Sequence, residues 1–452
     1  MSGDLFGPIF VPDAFLKAVS GRAWLQAMLD AEAALATAQA RVGLIPPEAA
    51  DSIARLCDAD LLDPWEIGHR GRAAGNPVPA LVRALTEEVS KTTSEDAARH
   101  VHRGATSQDV MDTAAMLVCR RSLDLILDEV DGIAHACARL AEGHRDTPMS
   151  GRTLLQQALP TTFGLKAAGW LVSVLEARRG LREVRGSGLA AQLGGAAGTL
   201  ASLGDSGLPI LREFALELAL AEPPVPWHTD RTRLANIGNA LSVLAGVLAK
   251  ISQDIILMAQ TEVGEAAEPA GEGRGGSSTL PHKRNPILSV TAAANARRVQ
   301  EGARTLQAAM PQEHERAAGA WHSEWEALSD ALALAGGAAA NVREATGGLE
   351  VHPEKMRENL DATGGILLAE NVTTAASEKL GRLRAHDLVE AACRRALRND
   401  GRLREELLQD ERTREVLSEG EIDAALDPAG YLGSAGAFVD RALGLYREEE
   451  AS

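Results

Sequence analysis

Aromatic residues are scarce in this 452-residue chain: Phe, Trp and Tyr together make up 3% of it, with two Tyr and six Phe. Sheets draw on aromatic and β-branched side chains, whereas Ala, Leu, Glu and Arg, abundant here, favour helices. No stretch sustains a period-two alternation of apolar and polar residues, so the whole chain is expected to be α-helical. The four cysteines, Cys57, Cys119, Cys137 and Cys393, stand far apart without a CxxC spacing. That argues against a disulfide framework and a zinc site and leaves reduced core residues. No metal or cofactor is called for. Positive charge is in deficit: 46 Lys and Arg face 63 Asp and Glu, a formal net charge of −17. Nucleic acid and membrane surfaces are therefore poor partners, and an anionic substrate must be held by local cations against the global field. The N-terminus MSGDLFGPIF has no basic region followed by a long apolar run, and no stretch approaches the roughly 20 apolar residues of a membrane span. A soluble, cytoplasmic protein is expected.

What is present is helical periodicity broken by a few polar loops. Asp13 is placed to cap a first helix whose apolar positions Trp24, Met28, Ala31 and Leu35 step by four, three and four. Ile126, Val130, Ile133, Cys137 and Leu140 continue a helix that starts near Val110 and ends near Gly143. Leu234, Ile237, Leu241, Leu244, Leu248, Ile251, Ile255 and Met258 form an unbroken stripe, a helix of roughly 25 to 30 residues and about 40 Å. Residues 287–310 read as another long helix. From His352 the chain shifts to short, charge-rich helices. The sequence thus divides into an N-terminal helical part (1–109), a central part of long bundled helices (110–351) and a small C-terminal helical domain (352–452).

The stretch 271–286, GEGRGGSSTLPHKRNP, concentrates the chemistry. Its glycines free the backbone, Ser277 and Ser278 supply hydroxyls, and Lys283 and Asn285 lie among prolines that stiffen the chain. A small anion suits it. A linker between helices would be rich in Gly and Ser but has no need of Lys and Asn framed by prolines. Other polar breaks carry further candidates. Asn76 lies in a Gly-Asn-Pro interruption. In HVHRGATSQDVMDTA, Thr106 and Ser107 precede Asp109 at the start of a long helix, an N-cap that also presents N–H groups to a carboxylate, with Gln108 beside them and His102 and Arg103 just before. GRTLLQQALPTTFG supplies Arg152, Thr153 and Gln156 on a short polar segment. His314 and Arg316 fall between two helices, near Trp321 and His322, where packing histidines are also common. The small residues around Gly194, Gly195 and Gly198 read first as packing.

Helices of about 40 Å keep these breaks apart within one chain. They converge only if several subunits contribute, which predicts a symmetric homo-oligomer.

GGSSTLPHKRNP resembles the GSSxMPxKxNP pattern of the fumarase/aspartase superfamily, with Leu280 where Met is usual. GATSQDVMDT, GRTLLQQALPTTFG, PWHTDRTR, TEVGEAAEP and AMPQEHERAAGAWHSEW are similar to its bacterial 3-carboxy-cis,cis-muconate cycloisomerase branch. The resemblance covers nearly the whole chain. It implies a three-domain fold with a central bundle, a homotetramer whose composite sites draw on three chains, and a small polycarboxylate substrate. By motif position it makes Ser277 the catalytic acid or base, places Lys283 and Asn285 on the carboxylate that takes up charge, puts Thr106, Ser107 and Gln108 on another carboxylate, and uses Arg152, Thr153 and Gln156 to position substrate. Many members carry a His where this chain has Leu154, and some cycloisomerases have His at Gln157. The loss at 154 argues against elimination of a leaving nitrogen and is compatible with lactone formation, whose carboxylate leaving group needs no proton. The implied reaction converts 3-carboxy-cis,cis-muconate to 4-carboxymuconolactone; β-elimination from a substituted succinate and a catalytically silent scaffold are the other readings.

Overall fold

The computed structural model describes residues 5–271, 275–276, 280 and 283–451. Ser277 and Ser278 lie outside them. The architecture is all-α at the level of the fold, a multi-helix assembly with only short strands. The longest helices are Ser107–Gly143, Phe163–Glu183, Thr232–Met258, Ile287–Ala308 and Ala320–Gly347. The apolar stripe read from Leu234 to Met258 is buried at every one of its eight positions, as a three-four repeat on one helix face requires.

Local signals set the helix ends. Asp13 does not cap the first long helix. It opens a short helix, Asp13–Ala18, and a separate helix, Gly21–Arg41, is capped by the Ser20 side chain accepting from the Ala23 N–H. Asp63 caps Pro64–Gly71 by accepting from the Trp65 N–H. Glu268 accepts from the Leu288 and Ser289 N–H groups at the start of Ile287–Ala308, where a carboxylate complements the helix dipole.

Two compact units divide the chain. The first comprises 1–130, 177–249 and 291–341. Its core includes Leu25, Leu29, Leu81, Met116, Leu241, Leu244, Val299 and Leu332. The second comprises 131–176, 250–290 and 342–452. Within it the C-terminal helices bury a cluster of their own, among others Val372, Val389, Leu403, Leu407 and Ile422.

One segment departs from the helical expectation. GRTLLQQALPTTFG belongs to an antiparallel hairpin, Pro148–Thr153 with Gln156–Thr162, whose register shifts between Ser150 and Arg152. The polar run was too short and irregular to show a period-two pattern. Gly151 is required at the irregularity, because a β-carbon there would come within 2.7 Å of the Leu159 carbonyl oxygen. A second departure concerns hydropathy. Among the described residues Thr232–Met258 is long and apolar enough to cross a membrane by length and composition, yet half of its most apolar stretch is buried inside the protein. Cys57, Cys119 and Cys137 are buried free thiols and Cys393 is half-buried. Burial pushes the Cys137 thiol up to about 12.

Candidate active site

The first unit holds Asn76, His102, Arg103, Thr106, Ser107, Gln108, His314 and Arg316; the second holds Arg152, Thr153, Gln156, Lys283 and Asn285.

In the first unit a centre forms around Asp109, near the start of the 37-residue helix Ser107–Gly143. Its carboxylate accepts four hydrogen bonds. The Gly194 N–H and His228 Nε2 meet Oδ1 at 2.9 and 2.7 Å, and the Thr106 and Gly195 N–H groups meet Oδ2, both at 2.9 Å. Asp109 is 1% exposed, so these bonds stand in for the water its carboxylate loses on burial. They also fix the backbone of the Thr106 loop against the glycine segment. Gly195 has φ +69 and a β-carbon there would meet the Gly104 carbonyl oxygen at 3.1 Å, so the segment must be glycine to approach the loop.

Arg316 joins the same centre, donating from Nη1 to Thr106 Oγ1 and from Nη2 to the Ala196 carbonyl, both at 3.1 Å. The His314 carbonyl accepts from Thr229 Oγ1. The Thr106 hydroxyl, the N-terminus of a long helix and a guanidinium are thus gathered at one place, the donor set that binds a carboxylate. Gln108 is fully buried. Its amide nitrogen donates to Asp112 Oδ2 and to the His228 carbonyl. Asn76 uses its side chain locally, accepting from the Val78 N–H and donating to the Ala74 carbonyl.

Beneath this centre lies a buried charge network. Arg231, fully buried, bonds both Asp112 oxygens at 2.8 and 3.0 Å and Glu324 Oε2 at 2.6 Å. Trp321 Nε1 donates to Asp112 and Gln312 Nε2 to Glu324. Burial opposes the guanidinium charge, but Asp112 and Glu324 outweigh it and raise its pKa. His322, exposed, packs against the Trp321 and Trp325 rings.

The second unit has a smaller polar cluster. Arg152 pairs with Glu265 through both terminal nitrogens at 2.8 and 2.7 Å, and Glu265, fully buried, also accepts from Asn359 Nδ2. Lys166 lies nearby. Burial, with Lys250 and Arg152, lowers its pKa despite Asp254 and Glu265. Thr153 and Gln156 are an exposed cross-strand pair flanking the hairpin turn. Asn285 donates from its backbone N–H and from Nδ2 to the Gly275 carbonyl, at 2.9 and 3.0 Å, and Lys283 is exposed. Among the described residues no group of three or more His, Cys, Asp or Glu side chains is placed to hold a metal ion.

A family model described as lyase matches residues 11–301, and one for the adenylosuccinate lyase C-terminus matches residues 365–442. The first spans well over half of the chain and contains the Thr106 loop, the hairpin and the GGSSTLPHKRNP motif. The chain belongs to the fumarase/aspartase superfamily. Within that superfamily it is 47% identical to 3-carboxy-cis,cis-muconate cycloisomerase of Pseudomonas aeruginosa, over 98% of this chain and 96% of the relative. It is 45% identical to nitrosuccinate lyase of Streptomyces davaonensis, over 97% and 94%. The crystal structure of the 3-carboxy-cis,cis-muconate lactonizing enzyme from Pseudomonas putida superposes with a TM-score of 0.94 at 42% identity, covering 99% of each chain.

Sequence reasoning did not single out Glu32, Asp112, His228, Arg231, Glu265, Asn359 or Glu324 as parts of the polar centres. The signal was there in part: Asp109 and Asp112 are three apart on one helix face, and His228 and Arg231 repeat that spacing in PWHTDRTR.

Proposed function

We propose that the chain is a cycloisomerase converting 3-carboxy-cis,cis-muconate to 4-carboxymuconolactone, a step in aromatic-compound degradation. The observation that carries this reading is the hairpin turn, where Leu154 and Leu155 offer no proton donor. In the reverse, eliminating direction the leaving group is a carboxylate, which needs none. Thr106, Ser107 and Arg316 take one substrate carboxylate, with His102, Arg103 and His314 bordering it. Lys283 and Asn285 take the carboxylate on which enolate-like charge develops, where preorganised donors have their largest effect. Ser277, with Ser278 beside it, exchanges the proton, and Arg152, Thr153, Gln156 and Asn76 position the substrate.

Because helices of about 40 Å separate the polar breaks along the chain, the working form in this reading is a cytoplasmic homotetramer of three-domain subunits (1–109, 110–351, 352–452) whose copies share each site. The outward face of Thr232–Met258 supports it. Asn236, Asn239, Val243 and Gly246 are exposed there and uncharged, a surface suited to a second helix.

β-Elimination is the second reading, favoured by the 45% identity to nitrosuccinate lyase, because nitrite also departs without a proton. Two assays separate them. The first predicts loss of the diene absorbance of 3-carboxymuconate; no loss, with nitrite and fumarate released from nitrosuccinate, overturns it. In either case Ser277→Ala should lower turnover by at least roughly a hundredfold with binding retained. Near-normal turnover would remove Ser277 from its role.

A further inference from the structure

His102 is held by an interaction that the proposed chemistry does not yet use. Its backbone has φ +57, a conformation that costs a residue with a β-carbon roughly 1 kcal/mol or more. Its Nδ1 lies 2.6 Å from Glu32 Oε1. Glu32 comes from the helix Gly21–Arg41 and is 1% exposed. The other carboxylate oxygen is buried and has no hydrogen-bond partner among the described residues. A carboxylate so stripped of water calls for a polar or charged partner, and the His102 ring is in place to serve.

The same helix steadies the next residue, since Gln39 Nε2 donates to the Arg103 carbonyl at 2.6 Å, while Arg103 Nη1 donates to the Leu44 carbonyl. Burial of the His102 ring pushes its pKa down, but the hydrogen bond and charge of Glu32, with the charge of Asp109, outweigh burial and the net shift is upward. Cys57, which also faces Glu32, has its thiol pushed up by burial and by the charges of Glu32 and Asp30, and so adds no charge.

We propose that Glu32 is the positioning residue for His102: by taking Nδ1 it fixes the ring and leaves Nε2 as the one atom that can meet a substrate carboxylate. The inference rests on the polycarboxylate reading of the site. Its logic is tautomeric. A neutral ring that gives its Nδ1 proton to Glu32 turns a lone pair toward the substrate, and only the imidazolium donates from both nitrogens. The raised pKa keeps that form present to higher pH, and the contact is lost as pH rises through the folded-state value.

The test uses the full-length protein with isotope-labelled histidine. An NMR titration of His102 should show its midpoint above that of an ordinary imidazole, and Glu32→Gln should lower it. Affinity for tricarballylate, a non-reacting polycarboxylate, should fall with pH through that midpoint, and Glu32→Gln should weaken it about tenfold at pH values where the wild-type ring is charged, the worth of one charge-assisted hydrogen bond. An unchanged His102 midpoint in Glu32→Gln overturns the pairing, and a lowered midpoint with unchanged tricarballylate affinity overturns the binding role. If that variant does not fold, His102→Gln decides: its tricarballylate affinity should lose the wild-type pH dependence, and keeping it overturns the proposal. Absence of turnover of 3-carboxymuconate by the wild type counts against the cycloisomerase reading and leaves these readouts in force.

Discussion

The Thr106 loop and the Pro148–Thr162 hairpin look alike as sequence, each a short polar run between helices, and they differ at their tips. The loop is closed from within its own unit. Asp109 ties its backbone to the glycine segment and to His228, and Arg316 bonds the Thr106 hydroxyl. The hairpin is tied near its turn, where Arg152 meets Glu265 and its cross-strand neighbour Gln157 donates to the Asn359 carbonyl. Its tip carries Leu154 and Leu155, 96% and 77% exposed, both at positive φ. Two-residue turns of that hand normally use Asn-Gly or Asp-Gly. Leucine there meets no local need, and under the homotetramer proposal the tip is a surface for another copy of the chain to cover. The contrast teaches that residue type alone does not tell how firmly a polar segment is held; its partners do.

Three variants break or sharpen this contrast. The largest effect is expected beneath the finished side, where Arg231→Met leaves Asp112 and Glu324 buried without their cation. It should cost roughly 3–5 kcal/mol of folding stability in a denaturant titration at neutral pH. A loss under about 1 kcal/mol would show that the network does not hold the centre. Next, Asp109→Asn removes the charge that gathers four donors and should destabilise by about 1.5–3 kcal/mol, with a rise in KM that exceeds the fall in kcat because the Thr106 loop loosens. Equal stability and KM would take Asp109 out of that role. The smallest effect belongs to the tip. Replacing Leu154 with Asn and Leu155 with Gly relieves the backbone and should stabilise the subunit by about 0.5–1 kcal/mol, while sedimentation should show weaker self-association. Unchanged association would mean that the leucines are not covered by a second copy.

Much of the fold was legible because long helices announce themselves. The repeat from Leu234 to Met258 and the run ending near Gly143 fall where the helices lie. The hairpin was not legible, since its pairing depends on an irregularity at Gly151 and on a turn made by two leucines, neither of which leaves an alternating pattern. Among the candidates, Thr106 and Arg316 were read from separate loops, and the structure brings them into contact. Gln108, with the same polar character, is fully buried, and nothing in its immediate neighbours distinguishes it. Glu32 was out of reach for a further reason: it sits 70 positions from His102, inside a helix whose pattern reads as core.

The Arg231 network also bears on the order of folding. Its three side chains lie at 112, 231 and 324, with separations of 119 and 93 residues. Two long chain loops must therefore close before the cation meets both carboxylates, and contacts of such range form late. Because the pairing is absent until then, its loss should appear chiefly as faster unfolding, with the refolding rate little changed. On that order of events Arg231 would act as a latch, lengthening the folded lifetime without changing how fast the chain folds.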